Sequence, residues 1–471
     1  MRKMNRCFAS TIAFFMLAGL LPKNVQADLK DNSNMLTAVE IEGTSLLDEL
    51  EGNLNEVKEQ ALYGDDEFVT AIVELEGAPV MDYYNSSSYF SLDEENSAGE
   101  SVSKFLASDD VKEVSEELLD NQENIISEIT TLVNEDVNEG VNAASISEET
   151  VEVVNNWTTI VNAISIRVPY GMLDKIRDLD GVKRAYVEHV YDRPEPIENS
   201  VVEEGKGTYS YSYDMVGVEE AWNKGYTGKG MLVAVLDSGL DIKRNWWDAQ
   251  ISRVHEAFTD NSFKSGNPTD GVDDWDLRYT NESLEEFLKD NQLISTTGAD
   301  GSHITYDNNM LYKNVKVPYA ADYADGDLDV SPLSSNHGTH VAGTIAGFAS
   351  TEEGEVKFSG VAPDAQILAM KVFPDEDGGA QEGVLINALE DSLRLGADMI
   401  NLSLGSDNGF ADDDSMQKEL YKRVNDAGIV LMTAAGNSEK SSDNNNYGGN
   451  NLTSNPDESM MSSPAIYESN L

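Results

Sequence analysis

Four short apolar runs in the second half of the chain, residues 231–236, 367–373, 399–404 and 429–434, constrain the fold more than any other feature. Between the last three lie stretches with helical spacing, built on Leu385, Ala388, Leu389 and Leu393, then on Leu420, Val424 and Ala427. Each stretch stops at a glycine, Gly396 or Gly428, as a left-handed helix end requires. Strands of this kind alternating with such helices predict an α/β fold, a parallel sheet covered by helices on both faces. A further amphipathic helix carrying Val218, Ala221 and Trp222, and stopping near Gly225, leads into this region.

The first half has another texture. Residues 68–75 read as a strand ended by Gly77 and Pro79. An acidic stretch, residues 101–133, has helical spacing, with Phe105, Val111, Leu118, Ile125 and Ile129 expected inward. Residues 151–168 form a β region in which Ile164, Ile166 and Val168 alternate. Met172, Leu173, Ile176 and Leu179 fit one face of a short helix ending at Gly181, and residues 182–190 read as a closing strand. The order strand–helix–two strands–helix–strand is a split βαβ unit, a small α+β domain of ferredoxin-like type. Residues 195–207 are a polar linker, and the Ser/Asn/Gly-rich residues 438–454 read as a loop.

Charge excludes two classes of partner. With 86 acidic against 32 basic residues the formal net charge is −54, which disfavours nucleic acid and anionic membrane surfaces. Arg2, Lys3 and Arg6 precede an apolar run over residues 8–21, and Val25-Gln26-Ala27 offers small residues for cleavage, so residues 1–27 read as an export signal. That run is short for a spanning helix, which needs about 20 residues, and no later segment is long and apolar enough to span. Cys7, the only cysteine, lies inside the signal, and the exported protein is expected to hold no disulfide.

Ligands of open parallel sheets bind beyond the carboxyl ends of the strands. Asp237 directly follows Val233-Ala234-Val235-Leu236, and Gly239 lets the chain turn away. A carboxylate there can hold a histidine in one tautomer. His337 precedes a helix rich in small residues, Gly338, Ala342, Gly343, Ala346 and Gly347, which can pack closely against its neighbours. The pair His337 and His340 also has a metal-binding reading, but no third ligand cluster accompanies it, and no metal is expected there. His189, His255 and His303 have no motif context. Asn437 after Gly436 is either a turn residue or an amide that donates to an oxyanion. The acidic loop around Asp325, Asp327 and Asp329 is either solvated or a structural calcium site.

Val235-Leu236-Asp237-Ser238-Gly239, then Ser335-Asn336-His337-Gly338-Thr339-His340-Val341-Ala342-Gly343-Thr344, then Ala434-Ala435-Gly436-Asn437, in that order, resemble the subtilisin-like serine proteases. The resemblance implies a secreted serine endopeptidase acting on proteins or peptides, with no cofactor required. It implies that His337 is the general base, that Asp237 orients it, that Asn437 serves the oxyanion, and that His340 is a structural neighbour. Ser403-Leu404-Gly405 is similar to the family segment that pairs with substrate as an added strand. The expected organisation is a signal over 1–27, a propeptide over 28–205 with an inhibitor-like domain at about 68–192, and the front of a catalytic domain over 206–471. The propeptide is expected to inhibit its own catalytic domain. The 100-residue interval from Asp237 to His337, together with Val317-Pro318-Tyr319, residues 323–327 and the long acidic propeptide, resembles Gram-positive cell-envelope proteinases such as lactocepins and C5a peptidases. Cell-wall association follows as an expectation.

One departure from the family pattern stands out. Its nucleophile string, Gly-Thr-Ser-Met-Ala-x-Pro, does not occur. Gly43-Thr44-Ser45 lies in the propeptide and continues Leu46-Leu47, while Ser462-Ser463-Pro464-Ala465-Ile466 is similar to the stretch upstream of that serine. The expectation is therefore a C-terminally truncated chain, inactive by itself. The alternatives are a non-catalytic secreted binding protein that keeps the cleft, or a propeptide-type protease inhibitor.

Overall fold

A computed structural model describes residues 63–88, 96–139, 151–193, 209–244, 251–268, 276–293, 311–376, 378–405, 415–437 and 462–467, positions 267, 269–275, 292 and 334 excepted. The expected export signal with Cys7, His303, the expected linker at 195–207 and the expected loop at 438–454 lie outside the described residues. The elements below belong to one unit, Asp65–Leu471.

The first strand, β1 (Phe68–Leu75), is as expected. The acidic helical stretch is two helices, α1 (Ala98–Leu106) and α2 (Asp109–Glu139). The expected single helix is broken at Ala107–Ser108; α2 restarts with Asp109 and Asp110 in its first turn, where the helix dipole favours them. All five residues expected inward, from Phe105 to Ile129, are buried. Next come β2 (Glu152–Trp157), β3 (Ala163–Pro169), α3 (Leu173–Arg177) and β4 (Val182–Val187). The sheet order is β2-β3-β1-β4, antiparallel throughout, which is the split βαβ arrangement. In β3 Ala163 and Ser165 are as buried as Ile164 and Ile166, and Ala163 belongs to the same core cluster as Leu385 and Tyr421. The closing strand stops at Val187, earlier than its apolar pattern suggests. Glu188 turns out to accept a hydrogen bond from Gly383 N–H at 2.7 Å, and β5 (Val190–Tyr191) leaves the sheet.

Helices Tyr209–Val216 and Val218–Asn223, parted by Gly217, lead into the second sheet. That sheet contains β6 (Leu232–Asp237), β7 (Tyr319–Asp322), β8 (Gln366–Lys371), β10 (Met399–Leu402) and β11 (Val430–Thr433); β9 (Ala380–Gln381) instead pairs with β5. Its order is β11-β10-β6-β8-β7, all parallel. Three helices flank it: α4 (His337–Ala346), α5 (Glu382–Arg394) and α6 (Met416–Asp426). The edge strand β7 escaped the sequence reading.

The central strand β6 shows why its sequence is continuously apolar. Val233 and Val235 pack with Ala342 and Ala346 of α4 on one face. Leu232, Ala234 and Leu236 pack with Leu385 and Leu389 of α5 on the other. Burying a side chain of this size is worth about 1.5–3 kcal/mol. Both faces of the strand are therefore committed to the core, and only its carboxyl end is left for chemistry.

Candidate active site

Asp237 is the last residue of β6 and is 1% exposed. The next residues form a tight turn. Gly239 has φ +107°, and a Cβ there would lie 2.3 Å from Val330 O, so only glycine fits. Ser238 closes the turn, its N–H donating to Asp237 Oδ1 at 2.7 Å and its hydroxyl donating to Ser335 O at 3.0 Å. The same hydroxyl accepts Gly338 N–H at 3.0 Å, which ties the turn to the first turn of α4. A 100-residue interval in sequence is thereby closed to hydrogen-bond distance.

His337, the first residue of α4, places Nδ1 at 2.8 Å from Asp237 Oδ1 and 3.1 Å from Oδ2. A carboxylate only accepts, so Nδ1 carries the proton and the neutral ring leaves Nε2 as a base. Among the described residues Nε2 has no partner, and the side chain keeps 16% of its exposure. The pair can take a proton from a group presented at Nε2, with the buried carboxylate stabilising the imidazolium.

The other sequence-predicted residues emerge at the same edge. Leu402 is aligned with Leu236 and with Thr433, so the chain beyond β6, β10 and β11 leaves the sheet on one side. Ser403 and Gly405 are half-buried there and Leu404 is buried; Asn437 follows Gly436, at φ +98°, and is exposed. Residues 462–467 lie across these ends, with Ser462 N–H donating to Ala435 O at 3.0 Å. Ser463 O occupies the space beside Gly405, 2.5 Å from where a Cβ would sit. His340 is exposed on α4 and, with His255, Phe258 and Phe358, lines a cavity of about 220 Å³. His255 caps a one-turn helix, its Nδ1 accepting Ala257 N–H at 3.2 Å.

A feature the sequence reading missed supports Asp237 from the side. Lys371 is its register partner on β8, 2% exposed, and Val372 N–H donates to Asp237 O at 2.9 Å. The Lys371 ammonium reaches Asp325 at 2.9 Å, Asp375 at 2.7 Å, and Asp322 as well. Burial works against that charge, but the hydrogen bonds to Asp322 and Asp375 outweigh it and hold the lysine above its ordinary range. One cation serves three carboxylates, and burial pushes the most enclosed of them, Asp322, up to about 7. Asp322, Asp325 and Asp375 have the spacing of a cation site, and the lysine stands among them. Asp327 and Asp329 instead accept the backbone N–H groups of Asp329 and Ser331. The one signal for this cluster was a lysine at the end of the apolar run Ile367-Leu368-Ala369-Met370.

A parallel sheet with a carboxylate–imidazole pair beyond its central strand defines the subtilisin-like α/β class. The profile of the subtilase family matches residues 228–470, and the chain belongs to that family. It is 29% identical to the PIII-type proteinase of Lactococcus lactis subsp. cremoris (strain SK11), over 71% of this chain and 15% of that protein. It is also 29% identical to the C5a peptidase of Streptococcus pyogenes serotype M3, over 54% of this chain and 18% of that one. The chain thus spans less than a fifth of either relative's length. Among solved structures, fervidolysin of Fervidobacterium pennivorans matches 80% of this chain and 40% of its own, at 14% identity and a TM-score of 0.38. No helix among the described residues is long and apolar enough to cross a membrane.

Proposed function

We propose that this chain belongs to a secreted serine endopeptidase made as a precursor, with residues 1–27 for export, 28–205 as a prosegment, and Asp237 and His337 in the catalytic part. In the proposed reaction a serine Oγ presented at His337 Nε2 attacks the peptide carbonyl carbon as its proton passes to Nε2. Asp237 keeps Nδ1–H in place and stabilises the imidazolium. The Asn437 amide donates to the oxyanion, a contact whose loss lowers turnover by about 10²–10³ in subtilisin. The imidazolium then protonates the leaving amine, and water attacks the acyl-enzyme by the same route. No cofactor enters these steps.

The observation that carries this reading is the 2.8 Å contact between His337 Nδ1 and Asp237 Oδ1 at the carboxyl end of the central strand. Substrate entry is proposed along Ser403-Leu404-Gly405 and along a second segment, Gly378-Gly379. Residues 190–193 already follow that second segment: β5 pairs with β9, and the Arg193 guanidinium donates to Gly378 O at 3.1 Å. In this proposal a prosegment held along a substrate-entry segment inhibits by standing in the way of substrate. Wall association, as in cell-envelope proteinases, is proposed on the kinship with the lactococcal and streptococcal relatives.

The test is labelling by a fluorophosphonate of the protein encoded by the whole genomic reading frame, beside its His337→Ala variant. Labelling abolished by the substitution is expected. If the parent protein takes no label after its prosegment is removed, it is a binding protein that keeps the cleft.

A further inference from the structure

The split βαβ unit holds the catalytic part along the length of α5. At the amino end of α5 Glu188 accepts Gly383 N–H, and Tyr186 Oη donates to Glu382 at 2.9 Å. Along the helix, Trp157 Nε1 donates to Asn387 at 2.7 Å, and Glu390 accepts the N–H groups of Thr159 and Ile160 at 3.1 Å.

At the far end of α5, beyond the contact of Arg394 with Thr159 Oγ1 at 2.7 Å, the contact is made by α1. Its first turn enters between Gly396 and Gly428, the left-handed residues that end α5 and α6. A Cβ on Gly99 would lie 2.2 Å from Gly396 O, and one on Gly428 would lie 3.3 Å from Ala98 Cβ. Ser103 Oγ donates to Arg394 O at 2.6 Å, so α1 satisfies a carbonyl that the helix end leaves unpaired. Arg278, 10% exposed, joins the two parts: its guanidinium donates to Ser97 Oγ at 2.9 Å, Asp398 Oδ2 at 2.8 Å and Gly396 O at 2.9 Å. The positive end of α1 thus meets the carbonyl end of α5. Val102, Phe105 and Leu106 add buried apolar surface beneath it.

This anchor is remote from the chemistry. Asp398 also accepts the N–H of Leu232, the first residue of β6, whereas Asp237 is the last. At about 3.3 Å per residue, roughly 17–20 Å of strand separates them.

We propose that α1 is a docking helix, an anchor at the end of this interface remote from Asp237, that helps keep residues 65–193 on the catalytic part after the connecting linker is cut. The proposal rests on reading residues 28–205 as a prosegment. Its partner surface is the cradle formed by Gly396, Gly428, Arg278 and Asp398. That surface is fitted to a helix opening with a hydroxyl cap and a glycine.

The experiment places a specific-protease recognition sequence within residues 195–207 of the full chain, cuts it, and follows separation of the two parts by size-exclusion chromatography. The parent protein is expected to elute as one species after cutting. Gly99→Leu, which drives a side chain into Gly396 O, is expected to speed separation at least tenfold, and Arg278→Lys several-fold. Hydrogen exchange in β6 verifies that each uncut variant is folded, and Arg278→Lys serves if Gly99→Leu is not. Immediate separation of the parent, or folded variants that separate no faster than it, would overturn the proposal. The prosegment reading has its own readout. A secreted protein whose amino terminus still precedes residue 195 would sink that reading and leave the retention measurement standing.

Discussion

Gly338 lies directly on the turn that Asp237 begins: a Cβ on Gly338 would be 2.4 Å from Gly239 O and 3.0 Å from the Cβ of Asp237. The Asp237–His337 contact exists because the helix bearing the imidazole has no side chain at this point. Gly338→Ala is expected to lower stability by about 1–3 kcal/mol, as overpacking does, and to lift His337 away from Asp237. The measurement is the low-field Nδ1 proton resonance of His337, which the variant should lose. An unchanged resonance would show that the close approach does not set the pair.

Lys371 neutralises a cluster that cannot do without it. Lys371→Met removes one partner from a buried set, leaving Asp322, Asp325 and Asp375 to repel one another, at a cost of about 3–5 kcal/mol. Protonation relieves that repulsion, so urea unfolding should show a larger loss at pH 8 than at pH 5. Equal losses at both would mean the carboxylates are better solvated than their burial indicates.

Glu188 makes the contact between the two parts pH-dependent. Burial, opposed by the Gly383 N–H, raises its carboxyl to about 7 from an ordinary 4.5. The folded state therefore holds a proton that the unfolded state has released. Its contribution is complete below pH 4.5 and is lost as pH rises through about 7. Glu188→Gln keeps an acceptor for Gly383 and cannot ionise. It should be more stable than the parent at pH 8 by about 1–2 kcal/mol, after discounting for partial exposure, and level with it at pH 4. Parallel stability curves for the two proteins across this range would refute the assignment.

Lys316 titrates in the opposite sense. It is fully buried, its ammonium donating to Pro363 O at 2.7 Å and resting 4.4 Å from the Phe263 ring centre. Burial, opposed by Asp364, lowers it to about 7 from 10.5. Between those values the unfolded state binds the extra proton, so stability from this group grows as pH rises from 7 toward 10.5. Thermal unfolding should therefore shift in favour of the parent over Lys316→Met across that window. A pH-independent difference would show that the lysine stays charged.

Local signals carried a large part of this fold. Period-two and unbroken apolar runs marked β1, β6, β8, β10 and β11, and Gly396 and Gly428 marked two helix ends within a residue. Asp237 and His337 stood out because each sits where a strand or helix pattern begins or ends. β7 was missed because four residues, Tyr-Ala-Ala-Asp, hold too little pattern, and only pairing with β8 makes them a strand. The division of α1 from α2 was missed for a similar reason. The helical period runs on across Ala107–Ser108, although Asp109 and Asp110 open α2 as its acidic first turn.

Periodicity, glycine placement and strand-end residues are properties of neighbours along the chain, so the sequence by itself determined the α/β class, the split βαβ unit and the two residues of the candidate pair. Distances between groups far apart in the chain are properties of packing. Only the tertiary structure decided that Lys371 stands among three aspartates, that the Glu188 carboxyl meets Gly383 N–H, and that α1 seats between two glycine-ended helices. Each depends on a buried polar group finding its partner across tens to hundreds of residues, where burial makes an unmet hydrogen bond or charge costly.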